Sequence, residues 1–214
     1  MRRLAILVTA VFAIGGTAAY GATVAIGSWH LWAGTQTLTK GTCTVSGSSA
    51  TTDTYVDSSH ASNNFGNATT LQVKPDGNQT LWTFVRFDLS SCSLPTTGGA
   101  DSATLKLFLN PAPNPGRTLT VTPVLSTWSQ TLTWTQAQRL SYGAATTTFA
   151  TGNTNGTTLS IPVTVDVDAL IKSSTASYGW RISDTGAAAG GDKATFTSAN
   201  ASSNVPQLVI SYEK

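Results

Sequence analysis

The chain has 214 residues, which suits one large domain with or without a tail. Only 10% of the residues are charged, which excludes a helical protein with a highly charged surface. Because 40% are hydrophobic, a chain that is disordered throughout is excluded as well. The formal net charge is +2, and it falls to zero without Arg2 and Arg3. A neutral domain is a poor ligand for phosphate backbones, so we predict no nucleic-acid partner.

The first 34 residues have the pattern of a secretory signal peptide or a membrane anchor. A positive start at Arg2 and Arg3 precedes an unbroken run of low polarity over residues 4–19 and a cleavage site before Ala22. If the leader is uncleaved, residues 4–32 contact the membrane as a helix. Both alternatives predict an extracellular or cell-surface protein, with the domain outside.

Short alternating segments separated by turn residues follow the leader. In residues 102–110, Leu105, Leu107 and Leu109 alternate with Lys106 and Phe108, which is typical of a strand with one buried face. The predicted strands are Thr35–Val45, Thr52–Asp57, Thr69–Lys74, Leu81–Leu89, Ser102–Asn110, Thr118–Ser126, Leu132–Thr135, Thr158–Val165, Tyr178–Ser183, Lys193–Thr197 and Gln207–Tyr212.

The same pattern contains few helical segments, and the one short helix that we predict covers Asp166–Lys172. Many strands with almost no crossover helices indicate an antiparallel arrangement. We therefore predict an all-β fold: an antiparallel jelly-roll-like β-sandwich over residues 49–214. Residues 35–48 form a tether or strand before it, and an N-terminal hydrophobic signal or anchor helix occupies residues 1–34.

The chain has two cysteines, Cys43 and Cys92. In an exported protein, two cysteines predict one disulfide bond. Two thiols without neighbouring histidines make a poor zinc site, so we expect the pair to be structural.

Seven short segments follow one another in a characteristic order along residues 53–210. They are Asp53–Val56, Asn64–Gly66, Phe84–Ser90, Ala103–Leu107, Trp128–Trp134, Tyr178–Ile182 and Pro206–Ile210. In this order they resemble the DNRLRE domain, the disaggregatase-related module of exported microbial proteins. The chain departs from that family at Gln130, where Glu is usual, and after Trp134, where Asn and Pro are missing.

The resemblance implies a jelly-roll sandwich related to carbohydrate-binding modules. Some members of the family bind acidic polysaccharides such as alginate, and others are parts of large surface proteins. A fold of this kind does not by itself determine the ligand.

The sequence offers no recognisable catalytic centre. Its two histidines are His30, in the leader region, and His60, in a loop rich in Ser and Asn. No nucleophile-elbow motif accompanies His60, and the aspartates lie in or beside turn-like segments. We predict that the protein is not an enzyme and has no catalytic residues.

A polysaccharide site is the binding site that the residue types favour. Sugar rings stack on aromatic faces, and the carboxylates of acidic sugars pair with Arg or Lys. Alternation places Trp82 and Arg86 opposite the apolar face of their strand, and it places Lys106 opposite the leucines. Arg181 lies opposite Tyr178, Trp180 and Ile182 if those aromatic residues are in the core. We predict that these four residues bind carbohydrate, and that Arg86, Lys106 and Arg181 form one basic face if their strands share a sheet.

Structural alternatives exist for each of these residues. Arg86 and Asp88 then form an ion pair, and Trp128, Trp134 and Trp180 fill the core. For metals, the candidates are Asp53, Asp57 and Asn64, whose oxygens suit a structural calcium ion. Their alternative role is in turns, and we predict no other cofactor.

Taken together, these features predict an exported cell-surface binding or scaffolding module whose partner is an acidic polysaccharide. The alternative is a structural subunit of an extracellular fibre, or an accessory subunit of a membrane complex held by the N-terminal helix. In that case the partners are other surface or membrane proteins.

Overall fold

The computed structural model describes residues 39–75, 77–95, 98–173, 178–186 and 193–213. The predicted leader, residues 1–34, lies outside these ranges, and so does the N-terminal helix assigned to it. Neither α-helix within the described ranges combines the length and the apolarity needed to cross a bilayer.

Eleven strands occur in the described part of the chain. They are β1 (Lys40–Ser46), β2 (Thr51–Asp57), β3 (Thr70–Val73), β4 (Leu81–Phe87), β5 (Ala100–Leu109), β6 (Thr118–Pro123), β7 (Thr147–Ala150), β8 (Thr157–Pro162), β9 (Trp180–Ser183), β10 (Ala194–Thr197) and β11 (Gln207–Glu213). Two helices, α1 (Trp134–Ala137) and α2 (Thr164–Ser173), and a 3-10 turn at Ser58–His60 complete the described elements.

The strands form two antiparallel sheets. The first has the order β1-β11-β5-β10-β3, with β8 also paired to β5, and the second has the order β2-β4-β9-β6-β7. All strand pairs in both sheets are antiparallel. The predicted all-β antiparallel sandwich is therefore confirmed, and β1, from the segment predicted as a tether or strand, belongs to the first sheet.

The main core lies between the two sheets and follows the alternation seen in the sequence. Leu105, Leu107 and Leu109 of β5 are fully buried, and they pack with Val85 and Ile182 of the second sheet. Burying a side chain of this size contributes roughly 2 kcal/mol. Alternate residues of each strand therefore point outward, away from this core.

The second sheet carries a smaller apolar cluster on its outer face. Val56 of β2 and Phe84 of β4 pack there against Trp128, Leu132 and Ala137. The last three belong to residues 124–142, which we call the covering segment. This cover means that the outer face of the second sheet is only partly open to solvent.

The strand predicted at residues 132–135 is wrong, because α1 begins there instead. Thr133 caps this helix: its hydroxyl accepts from the Gln136 amide at 3.4 Å, and the Gln136 side chain accepts from the Thr133 amide at 3.0 Å. This reciprocal capping box satisfies two backbone donors that a strand would leave open. Strand β7 was not predicted, whereas the predicted helix at 166–172 is confirmed within α2.

Helix α2 is tied to the second sheet by Asp166. Its Oδ2 accepts hydrogen bonds from the Trp180 indole and from the Thr146 hydroxyl, each at 2.6 Å. Trp180 is buried in the main core, which agrees with the structural alternative stated for it.

The predicted disulfide is confirmed. Cys43 of β1 is bonded to Cys92 in the loop that follows β4, with 5.7 Å between the two Cα atoms. The bond therefore fixes that loop against an edge strand of the first sheet.

Candidate functional site

Three of the four predicted carbohydrate-binding residues lie on one face. Trp82 and Arg86 of β4 and Arg181 of β9 point to the outer face of the second sheet, where Phe84 is the direct neighbour of Arg181. Lys106 lies on β5 in the first sheet. The single basic face predicted for Arg86, Lys106 and Arg181 therefore does not form, because alternation gives a residue's side of its own strand but not its sheet.

Arg86 is half-buried and its guanidinium group is only loosely held. It lies over the Trp128 ring, with Cζ 5.3 Å from the ring centroid. One terminal nitrogen donates to the Trp128 carbonyl at 3.3 Å and the other to the Thr52 hydroxyl at 3.5 Å, both long for hydrogen bonds. Within the described residues Arg86 forms no ion pair, so the proposed pairing with Asp88 is not seen.

Arg181 is part of a stack of aromatic rings. Its Cζ lies 4.2 Å from the Tyr142 ring centroid and 4.7 Å from that of Trp82. Trp82 in turn contacts Trp134, with 4.4 Å between ring centroids. The Arg181 Nε is buried without a hydrogen-bond partner in the described part of the chain. Cation–π contacts of this kind hold the guanidinium group in one orientation.

A pocket of about 650 Å³ opens beside Arg86, and we call it the Arg86 pocket. This volume is within the range of small-molecule binding sites. Its lining contains polar and apolar residues, and four of the apolar ones, Leu94, Pro95, Leu170 and Ile171, come from the loop after β4 and from α2. The polar lining residues are Ser48, Ser49, Thr51, Thr52, Arg86 and Asp88, and the apolar ones are Ala50, Phe87, Leu89, Leu94, Pro95, Leu170 and Ile171.

Asp88 is exposed at the edge of this pocket. Its Oδ1 accepts from the Ser90 amide at 2.9 Å, and this hydrogen bond is the main cause that lowers the pKa of the carboxyl group. Asp88 is therefore ionised at neutral pH and adds negative charge near Arg86.

Lys106 lies beside a much smaller depression of about 80 Å³ on the first sheet. Phe108, Thr158 and Gln207 are among its neighbours there. The space is below the volume of a sugar-binding pocket, so any contact with a polysaccharide at Lys106 would be on an open surface.

Each of the metal-ligand candidates makes contacts within the protein. Asp53 accepts from the Ala199 amide, while the Oδ2 of Asp57 contacts His60 Nδ1 and accepts from Gln79, both at 2.8 Å. Asn64 forms an isolated bridge with Thr133. In the described residues no three His, Cys, Asp or Glu side chains group as metal ligands would.

Hydrogen bonds also shift the pKa of Asp57. Burial alone would raise it, but the bonds from His60, Ser59 and Gln79 outweigh that effect and lower the pKa. These contacts place Asp57 as the cap of the 3-10 turn, which is the turn role stated as its alternative.

Sequence reasoning did not predict the partners of the arginines. Tyr142 was not singled out, and Trp134 was considered only as a core residue. Both reach the outer face through the covering segment, whose path depends on α1 and its cap. The change at Gln130 also has a structural partner, because its side-chain amide donates to the Gly66 carbonyl, which a carboxylate cannot do.

Comparison with known proteins gives one family match. No curated protein matches the chain. Residues 44–212 match the family described as carbohydrate-binding module family 96, a span that includes both sheets from within β1 to within β11. This agrees with the predicted relation to carbohydrate-binding modules, under a family name other than the DNRLRE domain. The chain therefore belongs to carbohydrate-binding module family 96.

Proposed function

We propose that this protein is an exported module that binds an acidic polysaccharide at the Arg86 pocket, where β2 begins and β4 ends in the second sheet. Family membership supports carbohydrate as the ligand, since the family is one of binding modules. The observation that carries the finer proposal is Arg86, a loosely held guanidinium group that lines a pocket of about 650 Å³.

Arg86 has the chemistry needed for a uronic acid. Its planar guanidinium group can donate two parallel hydrogen bonds to a carboxylate, and its present contacts with Trp128 and Thr52 are long. If Arg86 exchanged these two long hydrogen bonds for a bidentate contact with a carboxylate, the protein would lose little interaction energy. The hydroxyl groups of Ser48 and Ser49 lie exposed in the same pocket and suit the hydroxyls of a sugar.

Arg181 and Trp82 lie on the outer face of the same sheet and are not among the lining residues of the Arg86 pocket. The Arg181 guanidinium group contacts two aromatic rings and has no ion-pair partner among the described residues. Because Trp82 already contacts Arg181 and Trp134, we propose that it orients Arg181 and that it is not an open platform for a sugar ring.

The test is affinity electrophoresis in gels that contain alginate, pectate or a neutral glucan. We expect the full chain to be retarded by alginate or pectate, and Arg86→Gln to weaken that binding about 10- to 100-fold, the value of a charge-assisted hydrogen-bond pair. Arg181→Gln should weaken it by a smaller factor. Raised salt should reduce retardation, because the contacts are between charges.

Lys106→Gln is the matched control, since it also removes one positive charge but from the first sheet. It should leave retardation close to that of the unmodified protein. Equal loss in the Lys106 and Arg86 variants would show a non-specific charge effect and contradict the proposed site. If no gel retards the protein, the proposed ligand is wrong, and the alternative of a structural subunit is favoured.

A further inference from the structure

We infer that the Arg86 pocket selects acidic sugars that carry a small apolar ester on a hydroxyl group, such as an O-acetyl group. This inference rests on the proposed function, because it names the substituent that the same site would take. It comes from the two chemically different parts of the pocket lining.

The polar lining residues of the pocket have hydrogen-bonding groups that suit the carboxylate and the ring hydroxyls of a uronic acid. Arg86 lines the pocket and makes only long hydrogen bonds within the protein, and Ser48, Ser49 and Thr52, which carry hydroxyl groups, are also lining residues. A uronate needs both kinds of partner, since a buried polar group without a hydrogen bond is costly. This part alone would accept an unsubstituted acidic sugar.

The aliphatic side chains of the lining have no hydrogen-bonding groups for the hydroxyls of an unsubstituted sugar. Leu94 and Pro95 come from the loop after β4, and Leu170 and Ile171 come from α2. Leu94, Leu170 and Ile171 are partly exposed, so apolar surface remains for a ligand to cover. Sugar hydroxyls placed there would lose water without gaining a partner, whereas a methyl group would gain from burial.

Aromatic stacking does not explain this pocket. Phe87 is the aromatic residue of its lining, and its side chain is buried in the main core. The apolar wall is therefore shaped by branched aliphatic chains, which suit a compact substituent better than the flat face of a sugar ring.

Asp88 favours an uncharged substituent. Its ionised carboxylate lies at the same pocket and is held by the Ser90 amide. A second carboxylate on the ligand would meet repulsion there, whereas an ester carries no charge. One carboxylate for Arg86 and one neutral apolar group for the aliphatic wall is the combination that fits both halves.

The experiment compares one polyuronate preparation before and after mild alkaline removal of its O-acetyl groups. Binding of the full chain to each sample is measured by titration calorimetry at the same salt concentration. We expect about fivefold tighter binding to the acetylated sample, the effect of burying one methyl group. Leu170→Ser should reduce that preference to near one while keeping the affinity for the deacetylated sample.

Arg86→Gln should weaken binding to both samples by the same factor and keep their ratio, which separates the two halves of the pocket. Because Leu170 lies outside the main core cluster, its variant is expected to fold, and Leu170→Ala, which shortens the same side chain without adding a hydroxyl group, is a second test of the same wall. Equal binding to both samples, or tighter binding to the deacetylated one, would overturn this inference and leave the proposed function intact. Absence of binding to either sample would overturn both.

Discussion

Asp53 is a buried carboxyl group on the inner face of β2. Its Oδ2 accepts from the Ala199 amide at 2.6 Å, and its Oδ1 is buried without a partner in the described part of the chain. Burial is the main cause that raises the pKa of Asp53 to about 6, partly offset by the bond from Ala199. The Asp53 side chain therefore connects β2 to the turn between β10 and β11. Its carboxylate is poorly solvated near neutral pH.

This raised pKa predicts a defined pH dependence of stability. The folded state binds a proton to Asp53 more tightly than the unfolded state does, so the stabilisation is complete below about pH 4 and is lost as the pH rises through about 6. A shift of this size corresponds to about 3 kcal/mol in the free energy of unfolding. Urea unfolding at a series of pH values, compared between the unmodified protein and Asp53→Asn, measures it.

The difference between the two proteins isolates Asp53 from the other carboxylates. Asp57 and Asp88 have lowered pKa values, and they contribute stability that is lost as the pH falls, with the same effect in both proteins. We expect Asp53→Asn to gain stability relative to the unmodified protein between about pH 4 and pH 6. Parallel stability curves across this range would contradict the assignment.

The pairing or the orientation of an individual side chain could be predicted from the sequence where a single rule determines it. Two cysteines in one chain can pair with each other in only one way, and Cys43 and Cys92 do. Alternation correctly put Trp82 and Arg86 on the side of β4 opposite Val85. The contacts of Arg181 with Trp82 and Tyr142 were not predictable, because they depend on where residues 124–142 return to the sheet.

At the scale of elements, the loop after β4 is the part of the pocket that depends on a covalent bond. Leu89, Leu94 and Pro95 of this loop line the Arg86 pocket, and Cys92 lies between them. Its bond to Cys43 closes a sequence separation of 49 residues. The disulfide thus both constrains the unfolded chain and holds one wall of the proposed site.

Removal of the disulfide is expected to reduce stability and binding together. For a loop of this length the chain-entropy argument gives about 4 kcal/mol in the free energy of unfolding. We expect the double variant Cys43→Ser, Cys92→Ser to lose about that amount in urea unfolding. At temperatures where it stays folded, it should also bind the acidic polysaccharide more weakly.

The control is a reducing agent. It should lower the stability of the unmodified protein to that of the double variant and leave the double variant unchanged. A double variant as stable as the oxidised protein would contradict the structural role of the bond. Unchanged affinity in a folded double variant would contradict the part of this loop in the site.

Elements with a clear alternation were predicted well, and those without one were not. Strand β5 is nearly complete in the prediction because three leucines alternate with Lys106 and Phe108. Strand β7 was missed because Thr147–Ala150 is exposed at an edge and carries one large apolar residue. Residues 132–135 alternate like a strand, but the cap at Thr133 and the packing of Leu132 and Ala137 favour a helix there.

At the scale of the whole molecule, the sequence predicted the class of fold but not the partition of strands between sheets. Neighbouring strands in the chain often lie in different sheets: β4 pairs with β2 and β9, whereas β5 pairs with β11 and β8. These partners are far apart in sequence, and their choice depends on packing across the core. This is why Lys106 was grouped with Arg86 and Arg181 although it lies on the other sheet.

Binding of the polysaccharide at the Arg86 pocket should protect the backbone of the lining residues from exchange with solvent. This protection is measured by hydrogen-exchange mass spectrometry of the full chain with and without a polyuronate. We expect slower exchange in residues 48–52 and 86–89, which line the pocket, and unchanged exchange in residues 104–108 and 158–160 around Lys106. Protection confined to residues 104–108 and 158–160 would place the site on the first sheet and overturn the assignment to the Arg86 pocket.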